Sequence, residues 1–444
     1  MNCSSNPIQI IASILIILAY STTSVSAAGV ELPGKSGLAA AYPGDVGINK
    51  NPAVVFAENF EEGTLQEFIH RWTDASNKDA KVLAFSTDVP VESAGKRSLQ
   101  MTATRGHDSG GHLFKVISPG QDRLFVRFYT CFTPDYGFCH HFVRIRAMID
   151  PLPYPLGQIS KQPSHRWCGT DIEPLRVSQF GGLAMPTSPP GVWALSSYWP
   201  EMRSWQGPGG TSFYPDLFEP QKRVAVARGR WICVEVMVKM NSSPDKSDGA
   251  QAAWIDGELV SYLGPRTVSG YWRRDKYILD GEKGEPFEGF RWRKDMPLKW
   301  NRLWLLHYVS ERSFKKSDAY AAEHPDAPIN TQTAAVWFDD IVVATEYIGP
   351  SGGIEPRQRS NKGHAKSLNA KPKRPNEADG SVLPNPPFWF GWKTVGHVTG
   401  AHVIDHPERC AHVVQGRAPE GQKYFQWKII DLGYLKKDSD SSRD

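Results

Sequence analysis

The sequence has little net charge, few cysteines and almost no helical periodicity. Its 51 Lys and Arg face 47 Asp and Glu, a formal balance of +4 over 444 residues. That balance is too weak to indicate a nucleic-acid partner, although a mildly basic groove suits an acidic one. No segment beyond residue 27 stays apolar over the roughly 20 residues that a membrane-spanning helix needs. Amphipathic helical stretches are nearly missing, and no internal repeat of fixed period occurs. The cysteines, Cys3, Cys131, Cys139, Cys168, Cys233 and Cys410, do not fall at zinc-ligand spacings.

The composition, 40% hydrophobic and 22% charged, is that of a chain able to bury a core. Residues 1–27 read as an export leader. Ile8 to Ala19 is apolar, and Val25-Ser26-Ala27 offers a small-residue cleavage site. The segment has no Lys or Arg, so its positive charge is the terminal amine alone; the alternative is a membrane anchor, for which the run is short. Export predicts a secreted or periplasmic protein that leaves the membrane once the leader is removed. It also permits disulfides. A hairpin at Asp135-Tyr136-Gly137 would set Cys131 opposite Cys139, either as a bridge or as two thiols.

Residues 28–52, rich in Gly, Ala and Pro, read as an exposed lead-in. Residues 53–350 read as about ten strands. In Trp231–Met240, Ile232, Val234, Val236, Val238 and Met240 share one face, while Cys233, Glu235, Met237 and Lys239 share the other. Asp256-Gly257 then marks a hairpin. In Asp122–Phe132, Leu124, Val126, Phe128 and Thr130 oppose Phe125, Arg127, Tyr129 and Cys131. In Cys139–Met148, His141, Val143, Ile145 and Ala147 form the core-like face, with His140, Phe142, Arg144 and Arg146 opposite. Val192–Trp199, Leu298–Ser310 and Ala334–Ile348 complete the main strands. Residues 150–190 and 264–296 read as long loops, and residues 311–333 as a loop with room for a short helical turn. Residues 351–382, basic and poor in apolar residues, read as a linker, and residues 383–444 as a small appendage. The pattern predicts an all-β, two-sheet antiparallel sandwich with long loops. Asn241-Ser242-Ser243 matches the glycosylation acceptor pattern.

Several stretches together resemble the concanavalin A-like jelly roll of carbohydrate-active proteins. AENFEEG, GKRSLQM, RLFVRFYTCF and HHFVRIRA look like its early strands; VEVMVKMN, AAWIDGELV, LWLLHYVSE and VWFDDIVVATEYIG look like its later ones. Within that group the chain is most similar to jelly-roll polysaccharide lyases acting on alginate or glucuronan, and to their non-catalytic relatives. The alternating Arg-x-Glu-x-Arg and Gln-Ile-His patterns of one alginate lyase group are not present as such. The resemblance implies a structural Ca²⁺ held by Glu58 and Glu61 near the first strand and Asp339 and Asp340 in the last, an oxygen set suited to that ion.

Cleavage of a uronate chain by β-elimination needs a cation at the C6 carboxylate, a base for the C5 proton and an acid for the leaving oxygen. Arg144, Arg146 and Arg127 are expected to supply the cation. His140, His307 or Lys239 would be the base, and Tyr129 or Tyr308 the acid. His141, among apolar neighbours, reads as a core or sheet-edge histidine. Glu235, Trp193, Trp199 and Trp205 would line the sugar cleft, with aromatic faces stacking on rings. Hydrolysis would require two carboxylates flanking the bond; Glu235 has no visible partner, and the Glu-x-Asp-x-x-Glu motif of jelly-roll glucanases is missing. A glycan-binding module without chemistry is the remaining alternative.

Overall fold

A computed structural model describes residues 36–149, 166–175, 188–203 and 214–352, together with the backbone of short strands at 205–207, 210–212, 399–406, 411–417, 425–430 and 434–437. The chain divides into two compact units, residues 1–355 and 356–444. In the second unit Thr399–His406, Ala411–Arg417, Phe425–Ile430 and Tyr434–Lys437 form an antiparallel meander. The expected linker falls almost wholly outside the described residues.

The first unit is an all-β jelly-roll sandwich of two sheets. One sheet of eight strands runs Glu258–Leu263, Ala250–Ile255, Trp231–Lys239, Arg123–Phe132, Thr333–Ala344, Ser98–Thr104 and Leu83–Ser86, with Val54–Glu58 also paired to Thr333–Ala344. The other has ten strands, with Val192–Tyr198, Trp167–Leu175, Val143–Met148, Trp300–Leu306 and His112–Gln121 side by side at its centre. Most pairs are antiparallel; Asp216–Phe218 and Lys276–Leu279 pair in parallel.

The period of two decides what lies between the sheets. Val126, Phe128, Ile232, Val234, Val236 and Val238 enter from the eight-stranded sheet; Val143, Ile145, Ala147, Ile172, Leu195, Leu303 and Leu305 enter from the other. Each of these Val, Ile, Leu and Phe side chains contributes about 1.5–3 kcal/mol when withdrawn from water, before entropy is counted. Thr170 and Ser197 also point inward, and both hydroxyls reach Gln251 Oε1 in the facing sheet, at 2.8 and 2.7 Å.

The outer face of the eight-stranded sheet is covered. Residues 36–52, expected to be exposed, make three short 3₁₀ turns instead. Ala39 and Ile48 from these turns pack with Phe125, Met237, Trp254, Tyr262 and Tyr347. The reason is visible in the strands, whose second face carries Phe125 and Met237 and must be buried as well.

All three expected loops contain regular structure, and residues 264–296 hold the strands Ser269–Arg273, Lys276–Leu279 and Glu285–Pro286. Glu311–Glu323 is a helix capped by Ser310, whose hydroxyl accepts from Ser313 N. It buries only Phe314, Ser313 and Ser317, too narrow a face to give a helical pattern. Trp167–Leu175, inside the expected 150–190 loop, is a central strand. Cys131, Cys139, Cys168 and Cys233 are all free thiols, so the hairpin bridge does not form. Asn241 is no exposed acceptor either: it is buried, its amide nitrogen donates to Ser243 O and Arg293 O, and its oxygen accepts from Arg293 N.

Candidate functional site on the ten-stranded sheet

Side chains that alternate away from the core meet on the outer face of the ten-stranded sheet. Directly paired positions carry Ser196, Asp171, Arg144, Trp304 and Phe114 across five strands. The row beside it carries Tyr198, Gly169, Arg146 and Arg302.

Asp171 is the centre of this face. Arg144 Nε lies 3.2 Å from its Oδ2, and Arg146 Nη1 is paired with its Oδ1. The Arg144 guanidinium lies 5.1 Å from the Trp304 ring centroid, and that of Arg146 lies 5.5 Å from the Tyr198 ring centroid. Arg146 also donates to Thr170 O and Ile145 O, both at 3.0 Å. Its Nε and Nη2 are buried with no hydrogen-bond partner among the described residues. Gly169 makes room for this side chain: a Cβ there would stand 2.3 Å from Arg146 Cδ.

Beside the arginines, His141 Nδ1 lies 2.8 Å from Glu173 Oε1, and Ser196 donates to Glu173 Oε2 at 3.2 Å. His140 and Tyr308 close the rim. His140 N donates to Tyr308 O at 2.8 Å. The His140 ring stacks on His141 at 4.2 Å and on Tyr308 at 5.0 Å. Lost hydration and the neighbouring His141 push the His140 pKa down to about 4. Burial holds the Tyr198 phenol above its ordinary range, so it stays protonated.

The structure thus brings together four of the expected site residues, Arg144, Arg146, His140 and Tyr308. The arginines do not stand as free cations, because Asp171 on the adjacent strand takes both. His141 belongs here and not in the core. The strand pairing begins at Val143, and Phe142 turns inward in its place. Asp171, Glu173 and Gly169 were missed because their strand was read as loop; the signal was the alternation of Cys168, Thr170 and Ile172 with Gly169, Asp171 and Glu173.

The other expected residues lie elsewhere. Arg127, Tyr129, Glu235 and Lys239 are on the eight-stranded sheet, facing away from the sandwich interior and from Arg144. Arg127 is fully buried and paired with Asp45. Tyr129 accepts from Ser351 N at 2.9 Å, and Glu235 accepts from Ile348 N and Gly349 N at 2.8 Å each. Burial raises Glu235 to about 7, and these backbone donors oppose that rise. His307 is buried between the sheets, 2.8 Å from Tyr136 Oη, with its pKa pushed down to about 3 by burial; it has no access to a substrate. Trp193 and Trp199 are core residues, and the Trp205 side chain lies outside the described residues.

Two places bear on a metal. His141, Asp171 and Glu173 each offer a donor atom within 4.8 Å of the others, so this group could hold an ion. Arg144 and Arg146 already neutralise Asp171, however, and would repel a cation. The second place is the end of the eight-stranded sheet. A register shift between Asp339 and Val342, with Asp340 at φ 44°, leaves two adjacent acids buried beside Arg127 and Asp45. Asp339 Oδ2 and Asp340 Oδ2 are buried without a hydrogen-bond partner among the described residues. Burial raises both carboxyls; Asp340 adds to the rise of Asp339, and Asp45 to that of Asp340. Glu61 adds to both, while its Oε1 accepts from Lys96 N and Arg97 N. Hard, unpartnered carboxylate oxygens fit Ca²⁺. Glu58 does not join them, because Arg71 Nε and Nη2 hold its two oxygens at 2.9 and 2.8 Å.

No protein-family model matches the chain. No curated protein matches it. Among solved structures it is similar to the alginate lyase Aly36B, at 10% identity and TM-score 0.39, covering 67% of this chain and 99% of that one. It is similar to an endo-β-1,4-glucuronan lyase from the fungus Trichoderma reesei at 14% identity and TM-score 0.34, covering 66% and 95%. A cellulose-induced protein, Cip1, aligns at 16% identity and TM-score 0.34, covering 66% and 99%. The fold itself, a two-sheet β-sandwich, is read from the strand order. At these identities and TM-scores the likeness assigns neither an activity nor a residue to this chain.

Proposed function

We propose that this chain binds an acidic, uronate-containing polysaccharide on the outer face of the ten-stranded sheet and cleaves it by β-elimination. The observation that carries the reading is Arg146. Its guanidinium is buried beside Asp171, yet Nε and Nη2 lack partners among the described residues. A buried donor left unpaired costs about 1–3 kcal/mol or more, a cost that a substrate carboxylate would remove. With the C6 carboxylate neutralised there, the C5 proton becomes acidic. His141 is oriented to take it: with Nδ1–H donating to Glu173, Nε2 carries the free lone pair. Tyr308, at the same rim, would return a proton to the leaving oxygen. Export through the leader would bring the protein to such polymers.

Ca²⁺ at Asp339, Asp340 and Glu61 would serve structure, holding the bulged strand to the loop after Val54–Glu58. No step of the elimination passes through it.

A second reading has its own observation. Asp171 and Glu173 are two carboxylates on one strand face, the kind of pair that retaining hydrolysis uses. Incubation with alginate, glucuronan and pectate separates the possibilities. Absorbance near 235 nm marks unsaturated uronate ends. New reducing ends without it mark hydrolysis, and retained binding without either marks a non-catalytic module.

A further inference from the structure

Lys239, expected at the catalytic face, stands at the far sheet and faces Arg123 directly across the strand pair. Like charges in that position repel, and each neighbouring strand would be more stable with an acid there. The local acids are already committed. Asp122 bridges Arg293 Nη1 and Lys299 Nζ at 2.5 Å each. Asp248, within the field of Lys239, accepts from Ser242 N at 2.7 Å. Arg123 is exposed; its Nε donates to Thr345 O at 3.2 Å, its guanidinium lies 5.6 Å from the Phe125 ring centroid, and it forms no ion pair among the described residues. Lys239 is half-buried and forms no ion pair among the described residues.

These two cations open onto a cavity of about 510 Å³, whose wall also includes Gln121, Ser242, Arg293, Thr345 and the one acid, Asp122, which is paired with Arg293 and Lys299. Arg293 is buried and its Nε has no hydrogen-bond partner among the described residues. The cavity shares no residue with the Arg144–Glu173 cluster.

We infer that this cavity is a second, non-catalytic binding site for the carboxylate groups of an acidic glycan, holding the polymer at a point remote from the bond being cut. Arg123 and Lys239 supply the charge; Gln121 and Ser242 supply neutral hydrogen-bonding groups suited to sugar hydroxyls. The choice of glycan rests on the function proposed above, whereas the need of this site for an oxyanion does not.

The test is equilibrium binding of the full chain to polyglucuronate and to a glucuronate trisaccharide, for the wild type and for R123Q/K239Q. The expected result is a polymer affinity about ten-fold weaker in the variant, a shallower salt dependence, and an unchanged KM for the trisaccharide. Equal polymer affinity in the two proteins overturns the inference. Polyphosphate is the competing arm: if it displaces polyglucuronate as well as free polyglucuronate does, the site is a general anion site and the glycan assignment fails. Should the double variant not fold, K239Q alone, at a half-buried side chain, gives the same comparison at about half the effect. Should the wild type release no unsaturated ends while the variant still loses polymer binding, the elimination reading fails and this site stands.

Discussion

His141 Nδ1 lies 2.8 Å from Glu173 Oε1, joining the segment that leads into Val143–Met148 to the neighbouring strand Trp167–Leu175 at the edge of the arginine cluster. This contact decides which imidazole nitrogen is left to act. Replacing Glu173 by Gln keeps the size of the side chain but removes the charge that fixes the tautomer and stabilises the imidazolium. We expect E173Q to lower kcat by about 10²–10⁴-fold with little change in KM. Steady-state kinetics on the substrate polymer check this, and an unchanged kcat removes His141 as the base.

Gly169 and Arg146 make a steric prediction. A methyl group at Gly169 would sit 2.3 Å from Arg146 Cδ, so G169A must displace the guanidinium from Asp171 and Tyr198. Overpacking of this kind costs about 1–3 kcal/mol. Turnover is expected to fall by at least about 10²-fold, as when an electrostatic stabiliser is lost. Thermal unfolding and kinetics on one preparation separate the two effects.

How much of this was legible beforehand differs by strand. Arg123–Phe132 and Trp231–Lys239 alternate cleanly, and their inward faces are those the period of two assigns. What alternation does not give is the partner sheet. Arg127 and Arg144 look equivalent in sequence, yet they face opposite sides of the molecule, because strand order is set by long-range pairing. Trp167–Leu175 was lost for a different reason. Both its faces are buried, and the outward one carries Gly169, Asp171 and Glu173, so no apolar stripe stands out. At His140–Phe142 the parity itself breaks before the strand begins, which moved His141 from the expected core to the site.

The buried pair Arg127–Asp45 predicts a stability effect. The side chains are 0% and 7% exposed, and the pair ties the 3₁₀ turns of residues 36–52 to the sheet. D45N leaves the guanidinium buried without its counter-charge. The expected loss is about 3–5 kcal/mol, seen as a lower midpoint in chemical unfolding. A loss below about 1 kcal/mol would mean that Asp340 or water replaces Asp45.

Asp339 and Asp340 predict a metal-linked pH dependence. Burial raises both carboxyls, so the folded chain binds more protons than the unfolded chain above the ordinary carboxylate range. Without metal, their contribution to stability is therefore full below about pH 4 and is lost as pH rises through the elevated values. Ca²⁺ favours the ionised pair, so its stabilisation grows with pH. At about 100 times its dissociation constant it adds about 2.7 kcal/mol. Melting with Ca²⁺ and with EDTA, at pH 5 and pH 8, reads the effect directly. D340N should abolish the difference, and a Ca²⁺ shift that shrinks with rising pH contradicts the assignment.

The central claim is that Arg146 receives the carboxylate of a uronate during elimination. The most direct test is absorbance near 235 nm when the purified full chain meets glucuronan, alginate or pectate, run beside R146K and R146A. The account predicts a rising signal on one of these polymers, about 10²-fold slower or worse in R146A, with only partial recovery in R146K because an ammonium cannot reproduce the fork of donors. A wild-type signal that R146A matches, or new reducing ends without any absorbance at 235 nm, contradicts it.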